Sequence, residues 1–356
     1  MSKAQLDQIN VQIETVDPLW LEKAAARQLT LTKPPGSLGR LEEIGNRLAA
    51  IQRTTTPNVD RKRIYVIAAD HGVTAEGVSA YPREVTAQMV DNFLAGGAAI
   101  NVLGRHGDIE VRIVDAGVDA DLASRNELIT VKNAGGTANF ARGPAMNRDE
   151  AERLITTGID LARAAKADGI QLFGIGEMGI GNTTAASAIT AALARADAAN
   201  LTDRGTGVDD RGLAHKIDVI RQSLIVNQPD PNDAIDVLAK VGGAEIAVMM
   251  GVVIGAALNR IGVIADGFIS TAAAALAVSL CPNARDYLFL AHRSVERGHA
   301  ALIDFIGLEP LLDLKMRLGE GTGAALAMHL VAASARLLSE MATFSEANVS
   351  NKPSTD

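Results

Sequence analysis

The chain has 356 residues, of which 47% are hydrophobic and 21% charged, as in a globular protein with a large core. Its formal net charge of −8 argues against a basic nucleic-acid-binding face, so we expect no nucleic-acid partner. Aromatic residues make up only 3%, which predicts an aliphatic core.

The N-terminal segment predicts two helices around a rigid turn. Residues 1–20 have no basic stretch followed by an apolar run, so we expect no signal peptide. Helical periodicity covers 19–28 and 41–51, and the segment between them, 32–40, contains two prolines and two glycines. These residues do not allow a continuous helix.

Four short apolar runs follow, at 64–69, 111–114, 170–173 and 261–265. They lack polar alternation, which is typical of strands buried on both faces of a parallel sheet. Each is predicted to end at a polar or glycine-rich turn, and helical patterns occupy 85–106, 148–167, 183–194 and 244–258. This alternation predicts an α/β fold with a mostly parallel sheet flanked by helices, similar to a Rossmann fold. In such sheets ligands bind beyond the carboxyl ends of the strands, where these turns would lie.

A last helical pattern covers 323–341, and the polar residues 345–356 are expected to fray. We predict a small, discontinuous helical domain formed by residues 1–60 and about 300–356. A large α/β domain, about 61–299, would carry most of the active site, and the loop 316–322 would complete it.

The sequence does not favour a membrane span, a disulfide or a metal site. The most apolar stretch, 246–258, is followed by Asn259 and Arg260, too early for a span of ~20 residues. Cys281 is the only cysteine, which fits a reducing cytoplasm. The six histidines are scattered, so we expect neither a metal nor another cofactor. Asp70 and His71 would then shape the site through hydrogen bonds.

Two segments place a glutamate between glycines ahead of an alanine-rich stretch. Residues 174–186 (GIGEMGIGNTTAA) contain Glu177, and residues 317–325 (RLGEGTGAA) contain Glu320. Glycines let the backbone approach a ligand closely and leave N–H groups free for an anion. We predict one site that binds a sugar phosphate and performs proton chemistry. The alternatives are a tight turn before a capped helix at 174–186, and a helix-capping role for Glu320.

Further candidates surround these glutamates, and each has a plainer alternative. Tyr81 would stack on a planar ligand beside Gln88, or it would only pack a surface loop. Lys216 would bind phosphate, or it would lie on a solvated helix face. Asp266 and Ser294 would line the cleft, or they would be cap or turn residues. The remaining predicted binding residues flank the two glutamates: Gly176, Gly179, Asn182, Thr183, Leu318 and Gly319.

Five motifs together resemble the nicotinate-nucleotide–dimethylbenzimidazole phosphoribosyltransferase family. They are residues 33–42 (KPPGSLGRLE), 69–73 (ADHGV), 173–179 (FGIGEMG), 182–184 (NTT) and 316–321 (MRLGEG). The resemblance runs from about Leu19 to about Ser350. It implies transfer of phosphoribose from nicotinate mononucleotide to 5,6-dimethylbenzimidazole, with inversion at C1′, in assembly of the lower ligand of cobalamin.

The resemblance also implies roles for residues. It makes Glu320 the general base, puts Glu177, Lys216 and Ser294 in the phosphoribose region, and maps the benzimidazole pocket near Tyr81 and Gln88. Because the family is dimeric, it implies a homodimer.

The sequence suggests two alternative functions. A non-catalytic nucleotide-binding protein would retain the same cleft. An NAD-dependent dehydrogenase is disfavoured, although residues 174–179 match G-x-G-x-x-G, because no acid stands at the expected spacing.

Overall fold

The computed structural model describes residues 12–132 and 134–350. The predictions for segments 1–11 and 351–356, including part of the signal-peptide argument and of the frayed end, lie outside the described residues. The strands are β1 (Lys62–Ala69), β2 (Ile109–Gly117), β3 (Ile129–Thr130), β4 (Leu172–Met178), β5 (Gly262–Ala265) and β6 (Leu288–Leu290).

The helices are α1 (Pro18–Gln28), α2 (Arg40–Gln52), α3 (Val85–Leu94), α4 (Ala99–Gly107), α5 (Arg148–Ala167), α6 (Asn182–Ala194), α7 (Ala198–Leu201), α8 (Asp210–Asn227), α9 (Ala234–Val241), α10 (Ala244–Leu258), α11 (Phe268–Leu280), α12 (Arg297–Ile306) and α13 (Thr322–Glu340). Short 3-10 helices cover Gly72–Glu76 and Pro282–Tyr287.

The six strands form one parallel sheet in the order β3-β2-β1-β4-β5-β6, which confirms the predicted fold class. This is the strand order of a doubly wound sheet whose winding reverses between β1 and β4. The carboxyl ends of the central strands are level, because Ile67 pairs with Glu177 and Ile175 pairs with Ala265. The chain continues from β1 into Asp70 and from β5 into Asp266, so carboxylates collect at this edge.

Two local predictions were wrong. The pattern at 85–106 is two helices, α3 and α4, because Gly96 adopts a φ of +77° and the chain turns there. The segment 174–177 belongs to β4 and not to a turn. A Cβ at Gly174 would lie 2.7 Å from Ile64 Cγ1 and 3.0 Å from Met328 Cε, so glycine here lets β1 and α13 pack against the strand.

The helices at the two ends of the described chain meet. Ala24 of α1, Ala49 of α2 and Leu338 of α13 form a small buried cluster, and Arg27 Nε donates to the Leu338 carbonyl at 2.7 Å. The other end of α13 packs on β4 and β5. Since α13 belongs to both layers, a separate helical domain with a boundary near residue 300 stays a prediction.

Helix α13 is also the single helix of the described segments that is long and apolar enough to cross a membrane by length and composition. Within its 18-residue apolar window, 56% is buried inside the fold, as in a core helix.

Helix α10 is almost wholly enclosed, with the residues from Ala244 to Ala257 buried. It packs closely on α5, where a Cβ at Gly251 would collide with the Ile155 carbonyl oxygen, and one at Gly158 with the Val248 carbonyl oxygen. Glycine at these positions therefore sets the distance between two backbones.

We predict that Gly251→Ala lowers the free energy of unfolding by about 1–3 kcal/mol, because the added methyl must separate α10 from α5. Urea denaturation would measure the change. The matched control is Gly143→Ala, where a Cβ meets nothing within 4 Å. Equal stability of the two variants would contradict the proposed backbone contact.

Candidate functional site

A cavity of about 480 Å³ opens at the carboxyl edge of the sheet. Its lining residues come from the end of β4, from α3, from the first residues of α6 and α11, from the loops after β1, β4, β5, β6 and α7, and from the segment before α13. They are Tyr81, Val85, Met89, Glu177, Met178, Gly179, Ile180, Asn182, Thr183, Gly205, Thr206, Gly267, Phe268, Ile269, His292, Ser294, Glu296, Arg317, Leu318, Gly319 and Glu320.

A second cleft, of about 610 Å³, lies beside Gln171, Arg260 and Tyr287, at the amino ends of β4, β5 and β6. It contains none of the binding residues predicted from the sequence. The smaller cavity is the candidate site, because ligands of doubly wound sheets bind at the carboxyl edge.

The Glu320 loop rests directly on β4. A Cβ at Gly176 would collide with the backbone nitrogen of Gly321, and one at Gly319 would collide with the Glu177 carboxylate. Gly319, Glu320 and Gly321 all have positive φ, at 86°, 63° and 86°. A positive φ is costly for a glutamate, so the surrounding packing must hold Glu320 in this conformation.

Asp266 provides part of that packing. Its carboxylate accepts the N–H groups of Gly321 and Ala324, each at 3.0 Å, and it therefore caps α13. The sequence allowed Glu320 to be a helix cap, but the residue whose side chain caps α13 is Asp266. It does not line the cavity itself, whereas His292, whose Nε2 lies 3.9 Å from Asp266 Oδ1, does.

Glu320 is a buried carboxylate facing the cavity, with 7% of its surface exposed. Burial raises its pKa above the usual value of 4.5, the backbone amide of Ile100 opposes that rise, and the nearby Asp266 carboxylate adds to it. Its Oε2 is buried without a hydrogen-bond partner among the described residues. An incompletely paired carboxylate of raised pKa is well suited to accept a proton.

Glu177 has a different environment. Burial first, and then the charges of Asp266 and Glu245, raise its pKa to about 8, although the side chain of Asn182 donates a hydrogen bond to Oε2. At neutral pH the folded protein therefore holds Glu177 mainly protonated. The two glutamates that look alike in the sequence both have a raised pKa, and they differ in how strongly their surroundings raise it.

Cationic groups lie along another wall of the cavity. Lys216 is buried, and its Nζ donates to Thr183 Oγ1 at 2.8 Å and to the Asp203 carbonyl at 3.4 Å. Burial lowers the pKa of Lys216 to about 8. Arg317 Nη1 donates to the Gly205 carbonyl at 3.0 Å. Lys216 is thus not on a solvated helix face; it lies behind the lining residue Thr183.

The loop after β1 and helix α3 form the opposite rim. Tyr81 lines the cavity with 54% of its surface exposed, and Val85 and Met89, one helical turn apart, line it below. Gln88 is exposed and does not line the cavity. Ser79 Oγ lies 3.2 Å from Thr206 Oγ1.

Asp70 and His71 lie behind the lining residues. His71 Nε2 is 2.7 Å from Glu245 Oε1, and both side chains are fully buried. Asp70 Oδ2 accepts the N–H of Asp119 at 2.8 Å. No group of three or more His, Cys, Asp or Glu side chains in segments 12–132 and 134–350 could hold a metal ion.

Most of the predicted residues meet at one cavity. Those that line it are Tyr81, Glu177, Gly179, Asn182, Thr183, Ser294, Leu318, Gly319 and Glu320; Gly176, Lys216 and Asp266 lie directly behind them, and Gln88 lies apart. Sequence reasoning did not propose Val85, Met89, His292 or Glu296. The apolar run 287–291, which contains β6, could have signalled the loop that carries the last two.

Known proteins resemble this chain over nearly its whole length. A family model described as "Phosphoribosyltransferase" matches residues 13–349. A protein of Geotalea uraniireducens named nicotinate-nucleotide–dimethylbenzimidazole phosphoribosyltransferase is 56% identical over 344 residues, covering 97% of this chain and 98% of the relative. One of the same name from Geobacter sulfurreducens is 57% identical over 334 residues, covering 94% and 95%.

A solved structure also matches over nearly the whole chain. The crystal structure of the nicotinate-nucleotide–dimethylbenzimidazole phosphoribosyltransferase of Thermus thermophilus superposes with a TM-score of 0.89 at 46% identity, covering 94% of this chain and 100% of that one. The fold and the site are thus those of a phosphoribosyltransferase, an enzyme that transfers a pentosyl group. The chain belongs to the nicotinate-nucleotide–dimethylbenzimidazole phosphoribosyltransferase family.

We predict that Glu177→Gln flattens the pH dependence of stability. Glu177 has a folded-state pKa of about 8 against an ordinary 4.5, so the wild-type protein loses stability as pH rises between these values. Glutamine cannot ionise and so removes this loss. Urea denaturation from pH 5 to pH 9 would measure the slopes, with the exposed Asp313→Asn as control. If stability of Glu177→Gln fell with pH as steeply as that of the wild type, Glu177 would not be the group whose raised pKa causes the loss.

Proposed function

We propose that this protein transfers phosphoribose from nicotinate mononucleotide to a benzimidazole-type base, and that 5,6-dimethylbenzimidazole is its main acceptor. The products are α-ribazole 5′-phosphate and nicotinate, which would serve cobalamin lower-ligand synthesis. The names of the relatives support the two substrates. The observation that carries the mechanism is a buried, incompletely paired carboxylate, Glu320, at a cavity that also has a cationic wall.

Glu320 would act as the general base. The acceptor base carries an N–H, and loss of this proton to the Glu320 carboxylate raises the nucleophilicity of the other ring nitrogen. That nitrogen forms a bond to C1′ as the bond from C1′ to the pyridinium nitrogen breaks, and nicotinate leaves with the electron pair. The leaving group is already cationic at nitrogen, so one carboxylate suffices and no general acid is needed.

The cationic wall would bind the phosphate. Lys216 supplies a charge behind Thr183, Ser294 supplies a hydroxyl, and the positive dipole end of α6, next to Gly179 and Asn182, favours an anion. Fixing the phosphate fixes C1′ relative to the acceptor. Such positioning, and not a covalent intermediate, would account for most of the rate enhancement.

The two remaining walls would hold the ribose and the acceptor. Protonated Glu177 can donate a hydrogen bond to a ribose oxygen, which an ionised carboxylate cannot. Tyr81, Val85, Met89 and Leu318 provide the apolar surface that a planar benzimidazole requires. The acceptor then attacks from the face opposite to nicotinate, which inverts C1′ and gives the α-product.

Three wider expectations belong to the same proposal. The enzyme would act as a homodimer and in the cytoplasm, and residues 1–60 with about 300–356 would form its small helical domain. The competing possibility, a protein that binds the nucleotide without transfer, predicts binding of both substrates and no release of nicotinate.

We expect Glu320→Gln to lower kcat by about 10²–10⁴-fold, since glutamine cannot accept the proton. Nicotinate release at saturating concentrations of both substrates would be followed by chromatography. The control is Asp313→Asn, which changes an exposed carboxylate in the same loop. Wild-type turnover by Glu320→Gln would remove this residue from the chemistry.

The pH profile gives an independent test of the same base. Because burial raises the pKa of Glu320 in the free protein, the acid limb of kcat/KM, which reports the free enzyme, should lie above the ordinary glutamate value of 4.5. Activity should fall as pH decreases through this limb, since the protonated carboxyl cannot accept a proton. A profile that stays flat down to pH 4.5 would argue against a carboxylate base of raised pKa.

Lys216→Met should weaken nucleotide binding while leaving the acceptor site intact. Methionine fills most of the buried volume but removes the ammonium group that faces Thr183. We expect KM for nicotinate mononucleotide to rise about tenfold or more, the size of a lost charged hydrogen bond, and KM for the acceptor to change little. An unchanged nucleotide KM would place the phosphate elsewhere.

A further inference from the structure

We propose that the carboxylate of Glu296 occupies the phosphate subsite of the free protein as an internal counter-anion, and that it takes up a proton when a phosphate binds. This inference rests on the proposed function, because it deepens the role of the cationic wall. It concerns a residue that the transfer mechanism does not use.

Glu296 lies at the amino end of α12 and lines the cavity together with Ser294 and Arg317. Only 8% of its surface is exposed, and its N–H lies 3.4 Å from Ser294 Oγ. A carboxylate so enclosed needs a cation nearby, because burial of an unpaired charge is costly.

The cations whose charges act on Glu296 are the two of the cationic wall, Lys216 and Arg317. Both converge on Gly205: Arg317 Nη1 donates to its carbonyl at 3.0 Å, and Lys216 Nζ lies 3.1 Å from the position of a Cβ there. Glu296 lines the same wall as Gly205. A negative group in this wall therefore shares its two cations with any anion that enters.

The charged groups around Glu296 come from three other elements. Lys216 of α8 and Arg317 of the loop before α13 favour its ionised form, and Asp203, on the loop after α7, opposes it. On its own helix, Arg297 Nε lies 3.8 Å from Asp203 Oδ2 and so partly offsets Asp203. Burial nevertheless raises the pKa of Glu296 above 4.5 in the free protein.

A bound phosphate shifts this balance further. The anion withdraws Lys216 and Arg317 from Glu296 and adds a like charge beside it, and both effects favour the neutral carboxyl. Anion binding is then linked to proton uptake, and the affinity for the anion should increase as pH falls. The protonated carboxyl can in turn donate a hydrogen bond to the anion.

An alternative role for Glu296 gives the opposite result. A carboxylate in a nucleotide site can accept hydrogen bonds from ribose hydroxyls, and its removal then weakens binding. Removal of a counter-anion, in contrast, should strengthen the binding of an anionic ligand that has no ribose. Sulfate is such a ligand, and it has the further advantage that it does not titrate between pH 5 and pH 8.

The experiment measures sulfate binding by the full chain with isothermal titration calorimetry, at pH 6 and pH 7, in two buffers of different ionisation enthalpy. We expect the wild-type protein to take up protons on binding. Glu296→Gln should take up fewer, and it should bind sulfate about tenfold more tightly at pH 7, the effect of about one pKa unit. His292 lines the same cavity in both proteins, so the difference between them reports Glu296.

Asp304→Asn, an exposed substitution on the same helix, is the matched control and should behave as wild type. Glu296→Ala replaces Glu296→Gln if the latter does not fold. Sulfate affinity that is equal or weaker in the Glu296 variants, equal proton uptake, or no sulfate binding by any of the proteins would overturn the inference.

Transfer activity of the same wild-type preparation separates the two proposals. If the wild type releases nicotinate but Glu296→Gln gains no sulfate affinity, the counter-anion proposal is refuted and the transferase proposal stands. Proton-linked sulfate binding without nicotinate release would refute the transferase and leave the counter-anion standing.

Discussion

The site depends on the close approach of two backbones, the end of β4 and the loop 317–321. Gly176 and Gly321 touch where side chains would collide, and Gly319 lies against the Glu177 carboxylate. Asp266 fixes the second backbone by accepting the N–H of Gly321 at its end and the N–H of Ala324 in the first turn of α13. A side chain at any of these glycines would move Glu320 away from the cavity. The glycines that surround the two glutamates therefore position them as much as they admit ligand.

Burial then separates the chemistry of the two glutamates. Both are buried near Asp266, and Glu245 adds a further negative charge near Glu177. Carboxylates that share a small volume cannot all ionise, and a pKa of about 8 makes Glu177 one that retains its proton at neutral pH. In the proposed mechanism, this division would let Glu320 accept a proton and Glu177 donate a hydrogen bond.

The sequence predicted the sheet well, because buried parallel strands are uninterrupted apolar runs, and the motifs that follow them mark the carboxyl edge. It predicted Glu320 and Glu177 as partners in one site, since both lie between glycines. It could not predict that Asp266 rather than Glu320 caps α13, because the two are 54 positions apart in sequence. It also could not predict the burial of Lys216, since the polar residues around it resemble a solvated helix face, and only the packing of α8 on α6 encloses it.

The match of residues 174–179 to G-x-G-x-x-G illustrates how a pattern and its physical meaning differ. In a dinucleotide-binding turn these glycines follow the strand and approach a pyrophosphate. Here Gly174 and Gly176 lie inside β4, where they receive Met328 of α13 and the backbone of Gly321, and only Gly179 follows the strand. Two of the three glycines thus serve contacts within the protein. The same spacing therefore places Glu177 on β4, next to the point where the winding of the sheet reverses. This is the position at which the proposed transfer reaction would use it.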